Sequence, residues 1–342
     1  MLKSQQDEAI VIETGDSSPI YSVAFHPDGT HLFTGNADGV RRWRVADGQE
    51  VGKGMQGMNL NAISVSRDHK WIVCGTTKGA SVWDAKTQEK AIELEGTTFV
   101  GTLDISPDST SFATGTNGNP SGNTSIWNIL TGERLVGPLQ HDGSVSGVQF
   151  SPNGELIATL CRVGNFSIRV FDSHNGDQLV EINNEISRVL TAVTPLAWSS
   201  SGQQIFVISN NNKIKSFDAS TGSQLAESHV HDDEDPDCIA LASNGKFLTT
   251  FANRSITFWE TSTLTQIGSA IEDGQRIWSI ALSPDCGYLA TGGYDGNIII
   301  RNLSDILPDS YGPFVVRIYV FTSRTDSWIP AQGKTDNNVS ST

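Results

Sequence analysis

The chain has 342 residues, with 38 Asp and Glu against 23 Lys and Arg, and a net charge of −15. Phosphate binding needs clustered Lys and Arg, so this balance argues against nucleic acid as the main partner. No apolar run reaches the roughly 18 residues of a membrane helix, and residues 1–8 lack the apolar segment of a secretory signal. A cytoplasmic location, with the nucleus as the alternative and no membrane partner, is therefore expected.

In chain order, residues 1–8 read as an extension. Residues 9–14, Ala-Ile-Val-Ile-Glu-Thr, read as a spare strand. A phrase repeated seven times follows. A strand runs into a polar turn such as His26-Pro27-Asp28-Gly29, a second apolar run follows, and a third strand closes on an aromatic and a polar residue. The closing pairs are Trp43-Arg44, Trp83-Asp84, Trp127-Asn128, Phe171-Asp172, Phe217-Asp218 and Trp259-Glu260, with Arg301-Asn302 in the seventh slot. The first strands carry the apolar markers Val23, Ile63, Leu103, Val148, Leu196, Ile239 and Ile280, at separations of 40, 40, 45, 48, 43 and 41 residues. Such units cannot bury their apolar faces alone, so they must stack, and this period is that of a four-stranded propeller blade. In unit 2 the strands are placed at 61–65, 71–75, 80–85 and 90–94. Unit 7 shows only three strands. Pairing residues 9–14 with 298–301 would supply the fourth and hide two sheet edges. Residues 9–307 are thus read as one domain and residues 308–342 as a non-repeat tail. The tail contains an apolar run, 314–321, that either caps the ring or lies loose as the remnant of a misassembled reading frame. Its end, 334–342, has a disordered composition. The four cysteines are scattered singly and read as small, buried, reduced residues.

The seven aromatic-closed units resemble the WD40-repeat family, over most of residues 9–302, and in particular its diverged fungal arrays. The resemblance implies an all-β fold, a seven-bladed β-propeller of four-stranded antiparallel blades. The family's Gly-His pair is largely missing: His141 is its best survivor and Asp16 holds the slot in unit 1. The family's buried His–Asp–Ser/Thr–Trp network is accordingly expected to be incomplete, with apolar burial carrying more of the stability. The closing aromatics are read as core residues.

Residues that carry chemistry are sparse. The strands expected to line the channel are small, apolar or weakly polar, with Asp104 a lone carboxylate, which is neither a dyad nor a metal cage. No phosphate loop, nucleophile elbow or His-Glu zinc motif is found, so no catalytic residue, metal or cofactor is assigned. The stretch 228–237, with His229, His231 and four Asp or Glu between 232 and 235, is weighed as a metal site and read instead as a solvated acidic connection. Arg41, Arg42 and Arg44 are read as a solvated strand face. The resemblance implies partner contact on the rim that holds the inter-blade connections. Carried over unit by unit, the contact positions are Tyr21, Asn61, Gly101, Ser146, Thr194, Asp237 and Trp278, with turn positions Ala37, Thr77, Ala252 and Tyr294. Blades 7 and 1 are ring neighbours, so Tyr21, Trp278 and Tyr294 should meet, with Asp237 one blade away. The candidate partner-binding residues are therefore Tyr21, Asn61, Asp237, Trp278 and Tyr294. The function expected is a non-enzymatic scaffold, monomeric by itself, that takes a protein or peptide with an apolar anchor and a basic flank. The alternatives are a channel enzyme and a histone-tail reader.

Overall fold

The computed structural model describes residues 9–94, 99–118, 122–163, 165–183, 196–209, 213–229 and 238–312. These form seven four-stranded antiparallel sheets. Six are sequential: blade 1 is Ser22–Phe25, His31–Gly35, Gly39–Arg44 and Met55–Gln56, and blade 2 is Leu60–Val65, Trp71–Thr76, Gly79–Asp84 and Lys90–Glu93. Blade 7 takes Ile277–Leu282, Tyr288–Gly293 and Ile298–Asn302 from the C-terminal end of the repeats and Ile10–Ile12 from the N-terminal side. The expected closure is present, with Ile10 opposite Ile300, Val11 opposite Ile299 and Ile12 opposite Ile298. First strands contact one another in sequence and the last contacts the first, so the seven sheets complete a ring.

The apolar markers hold one register. Val23, Ile63, Leu103, Val148, Leu196, Ile239 and Ile280 are all buried. They face Thr34, Cys74, Thr114, Thr159, Val207, Thr250 and Thr291 on the second strands. That second-strand residue explains much of the variation at the closing aromatic. The indole N–H of Trp43, Trp127 and Trp259 donates to the hydroxyl of Thr34, Thr114 and Thr250, at 2.8, 2.9 and 3.0 Å. In blade 2 the facing residue is Cys74, and Trp83 donates instead to Ser81 at 2.8 Å. In blade 5 the facing residue is Val207, which offers no acceptor, and the aromatic is Phe217, which needs none. Five of the six aromatics are buried and Trp127 is half-buried, in keeping with their reading as core.

Blade 7 solves the same problem with charge. Arg301, in the aromatic slot, reaches Asp273 at 3.0 Å, and the Thr291 hydroxyl donates to the same carboxylate oxygen at 2.7 Å. The side chains are 7% and 0% exposed, so this is a buried ion pair. His141 is the counterpart between blades 3 and 4. Its Nε2 lies 3.0 Å from the Thr124 hydroxyl and its ring packs edge-on against Phe171.

First strands are also tied across blades. The Ser279 hydroxyl accepts from the Val23 amide at 3.0 Å, Ser22 from Ile63 at 3.2 Å, Asp104 from Phe150 at 2.9 Å and Gln149 from Trp198 at 3.1 Å. The polar residues of the channel wall are thus inter-blade caps for backbone N–H groups that no strand satisfies. All four cysteines are buried and none is in a disulfide.

Packing continues beyond the last strand. Leu303 and Leu307 are buried, and Tyr311 stands edge-on to Phe247 of blade 6, where its carbonyl accepts from the Asn244 amide at 2.9 Å. The run at 314–321 and the tail end at 334–342 lie outside the described residues, as do residues 1–8.

His141 yields a pH prediction. Burial, aided by the nearby Arg169 charge and opposed by Asp142, lowers its pKa to about 4. The unfolded chain takes up this proton near the ordinary value of about 6.5 while the native ring stays neutral. The stability it contributes is complete above that value and is lost as pH falls toward 4. The shift corresponds to roughly 3 kcal/mol. Asp104, whose carboxyl is raised in the native state, works in the opposite direction over this range, so the His141 effect is read as a difference: between pH 7.5 and pH 4.5 wild-type urea midpoints should drop relative to those of His141→Gln.

Candidate functional site

The seam between blades 7 and 1 is built by close backbone approach. The Ile20 amide donates to the Gly293 carbonyl at 3.0 Å. At Gly292 a Cβ would lie 2.5 Å from Ile20 Cγ2, so only glycine lets the chain enter blade 1 at this depth. Tyr21 follows directly. On the blade 7 side the Tyr294 amide donates to the Arg276 carbonyl at 2.9 Å, which fixes the turn against the connection that carries Trp278.

The three aromatics meet as the sequence implied. Tyr21 and Trp278 stack edge-to-face with centroids 5.8 Å apart, and Trp278 and Tyr294 lie tilted, also at 5.8 Å. Tyr21 and Trp278 are half-buried, whereas Tyr294 is 56% exposed and is among the most exposed large apolar side chains. The cluster has a supported base and an open top. Arg276, exposed, holds its guanidinium carbon 6.0 Å from the Trp278 ring centre. Sequence reasoning missed Arg276, although its position two residues before Trp278 was the available signal.

The other carried-over positions divide. Asn61 lies one blade further round and spends its amide on the Val100 carbonyl at 3.1 Å, linking blades 2 and 3. Gly101 and Ala252 are buried; Ser146 and Ala37 are half-buried and Thr77 is exposed. Asp237, Thr194, His231 and the acidic run at 232–235 lie outside the described residues.

At the opposite end the channel opens into a mouth of about 610 Å³ lined from all seven blades, among them Phe25, Arg67, Asp104, Gln149, Trp198 and Pro284. Burial raises the Asp104 pKa to about 7, against the opposing pull of the Phe150 and Ile105 amides and Arg67. A carboxylate held by two backbone donors serves as a cap. Arg41 and Arg44 are neutralised at the surface, Arg41 by Asp16 and Glu50 and Arg44 by Asp47.

The model of the WD domain, G-beta repeat, matches residues 9–40, 134–172 and 264–302, which lie in the N-terminal closure and blade 1, blades 3 and 4, and blades 6 and 7. The chain carries WD40 repeats. This WD40 chain is 27% identical over 273 residues to eukaryotic translation initiation factor 3 subunit I of Emericella nidulans, covering 76% of this chain and 78% of the relative. The Aspergillus terreus protein of the same name is 28% identical, over 75% of this chain and 74% of its own length. Intraflagellar transport protein 122 homolog of Danio rerio is 22% identical over 90% of this chain but only 25% of its own length, so there the WD40 chain matches one segment of a longer protein. Among the described residues no helix is long and apolar enough to cross a membrane.

Proposed function

We propose that this WD40 propeller is a non-enzymatic interaction scaffold that holds a protein partner on the rim over the blade 7–blade 1 seam. The observation that carries the reading is the contiguous trio of Tyr21, Trp278 and Tyr294, pre-assembled on a rigid base and open to solvent. Large aromatics are among the residues that dominate binding energies, because they bury much area and lose few rotamers. The partner is a protein or peptide with an apolar anchor that seats on the trio. A basic flank suits the net charge of −15 and the acidic sequence at 232–235 and Asp237. Asn61 contributes at the edge. The first two relatives are named as a subunit of a translation initiation factor. A role as one member of a larger cytoplasmic assembly is the natural extension to this chain.

The test is affinity recovery from the native source with the double variant Trp278→Ala/Tyr294→Ala. Recovery of the wild-type partner set should be abolished, while the unfolding free energy changes by no more than about 1 kcal/mol. A comparable loss of stability would return both rings to a packing role.

A further inference from the structure

The turn joining the first and second strands has the same five-residue form in every blade, which makes departures from it visible. The opening residue is Ser66, Ser106, Ser151, Ser199, Ala242 or Ser283 in blades 2 to 7, and His26 in blade 1. In most of these turns the serine hydroxyl reaches the third residue, as Ser66 to Asp68 and Ser106 to Asp108, each at 2.6 Å. The fourth residue always lies in the left-handed region. It is glycine in four blades, at Gly29, Gly154, Gly202 and Gly245, and Ser109 or Cys286 in two others. In blade 2 it is His69, with φ +68°. Histidine is among the non-glycine residues that enter this region more readily, so it is the surroundings of the ring, and not the backbone, that single it out.

The two histidines occur in adjacent blades and coincide in space. The rings of His26 and His69 lie 4.9 Å apart between centroids, at 64°. His26 Nδ1 lies 2.9 Å from Asp28 Oδ1. One ligand atom from each of His26, Asp28 and His69 lies within 4.8 Å of the others. Asp28 is fixed in place, since its Oδ1 accepts from the Thr30 amide at 2.8 Å and hydroxyl at 2.7 Å. Burial pushes its carboxyl up, but the two Thr30 bonds and His26 outweigh this and hold it well below the usual carboxylate range. It is therefore anionic at neutral pH.

We propose that His26, Asp28 and His69 form a site for a divalent transition cation of the zinc class. Two imidazole nitrogens and one carboxylate oxygen are a donor set that zinc accepts, with the fourth tetrahedral position left to water. Donors around tetrahedral zinc stand about 3.3 Å apart. His26 is buried and Asp28 anchored, so the exposed His69 ring closes the remaining gap by rotation. The Thr30 bonds to Asp28 supply the outer contacts that orient a ligating carboxylate. The ion would clip blade 1 to blade 2 at the rim opposite the aromatic trio.

Two substitutions make the idea testable without harming the fold, because each restores a residue that other blades use in the same turn. His69→Gly removes one ligand and relieves the left-handed backbone; His26→Ser removes another and restores the serine-to-Asp bond. The probe is zinc alone, added to the whole chain, with imidazole resonances and affinity measured together. Equimolar zinc should shift the His26 and His69 resonances, and each variant should bind at least about tenfold more weakly. Both variants should melt, in chelator, no lower than the wild type. Unmoved His26 and His69 resonances would overturn the site. So would undiminished binding by His69→Gly, the result expected if His229 and His231 take the metal instead.

Discussion

Deleting residues 1–15 should lower the unfolding midpoint by about 5–10 °C and make the protein prone to self-association, whereas deleting residues 1–8 should do neither. The first deletion removes the strand Ile10–Ile12 and so uncovers the edge Ile298–Asn302. It withdraws Ile12, 5% exposed, from a cluster that holds Val23, Trp43, Ile298 and Ile300. A fully buried aliphatic side chain stabilises by about 1.5–3 kcal/mol. The Thr14 hydroxyl bond to the Gly296 carbonyl, 2.7 Å, is lost as well, as is the Arg41 bond to the Thr14 carbonyl, 2.8 Å. The bare edge then offers unpaired N–H and C=O groups to another chain. Light scattering during the melt reads this second effect. An unchanged midpoint with no aggregation would mean that residues 9–15 do not hold the ring shut.

The second large effect is expected at the buried pair. Asp273→Asn and Arg301→Met should each cost about 3–5 kcal/mol, because each leaves a polar or charged partner buried without compensation. The double variant should cost clearly less than the sum. Asn still accepts from the Thr291 hydroxyl, and Met fills the space of the Arg stem without a charge to satisfy. Chemical denaturation of the wild type, both single variants and the double closes the cycle. Additive losses would show that the 3.0 Å contact contributes no coupling.

Much of the architecture could be read directly because the repeat is spelled out in single residues. The markers from Val23 to Ile280, the closing aromatics and the spare strand at residues 9–14 were enough for seven blades, their register and the way they close. The meeting of Tyr21, Trp278 and Tyr294 was also legible, since ring closure makes blades 7 and 1 neighbours whatever their separation along the chain. The Asp273–Arg301 pair was not. It fills a slot where the repeat calls for an imidazole and an indole, and nothing in 28 residues of separation announces the partnership. Asp104 was singled out as a lone carboxylate, but its task as a cap for the Phe150 amide depends on how two first strands stagger across the channel. His26 and His69 belong to turns that look ordinary one at a time.

The sequence alone determined the number of blades, the apolar register within each and the strand that closes the ring. These follow from local periodicity and from the need of every repeat to bury a face it cannot cover by itself. Only the tertiary structure decided which polar side chains meet across blades: the indole–hydroxyl pairs, the Asp273–Arg301 pair, the inter-blade caps and the His26–Asp28–His69 cluster. Apolar burial is non-directional and depends on area, so a pattern of residue types suffices to foretell it. Hydrogen bonds and metal coordination depend on distances of a few tenths of an ångström, which are set by the twist and stagger of neighbouring sheets.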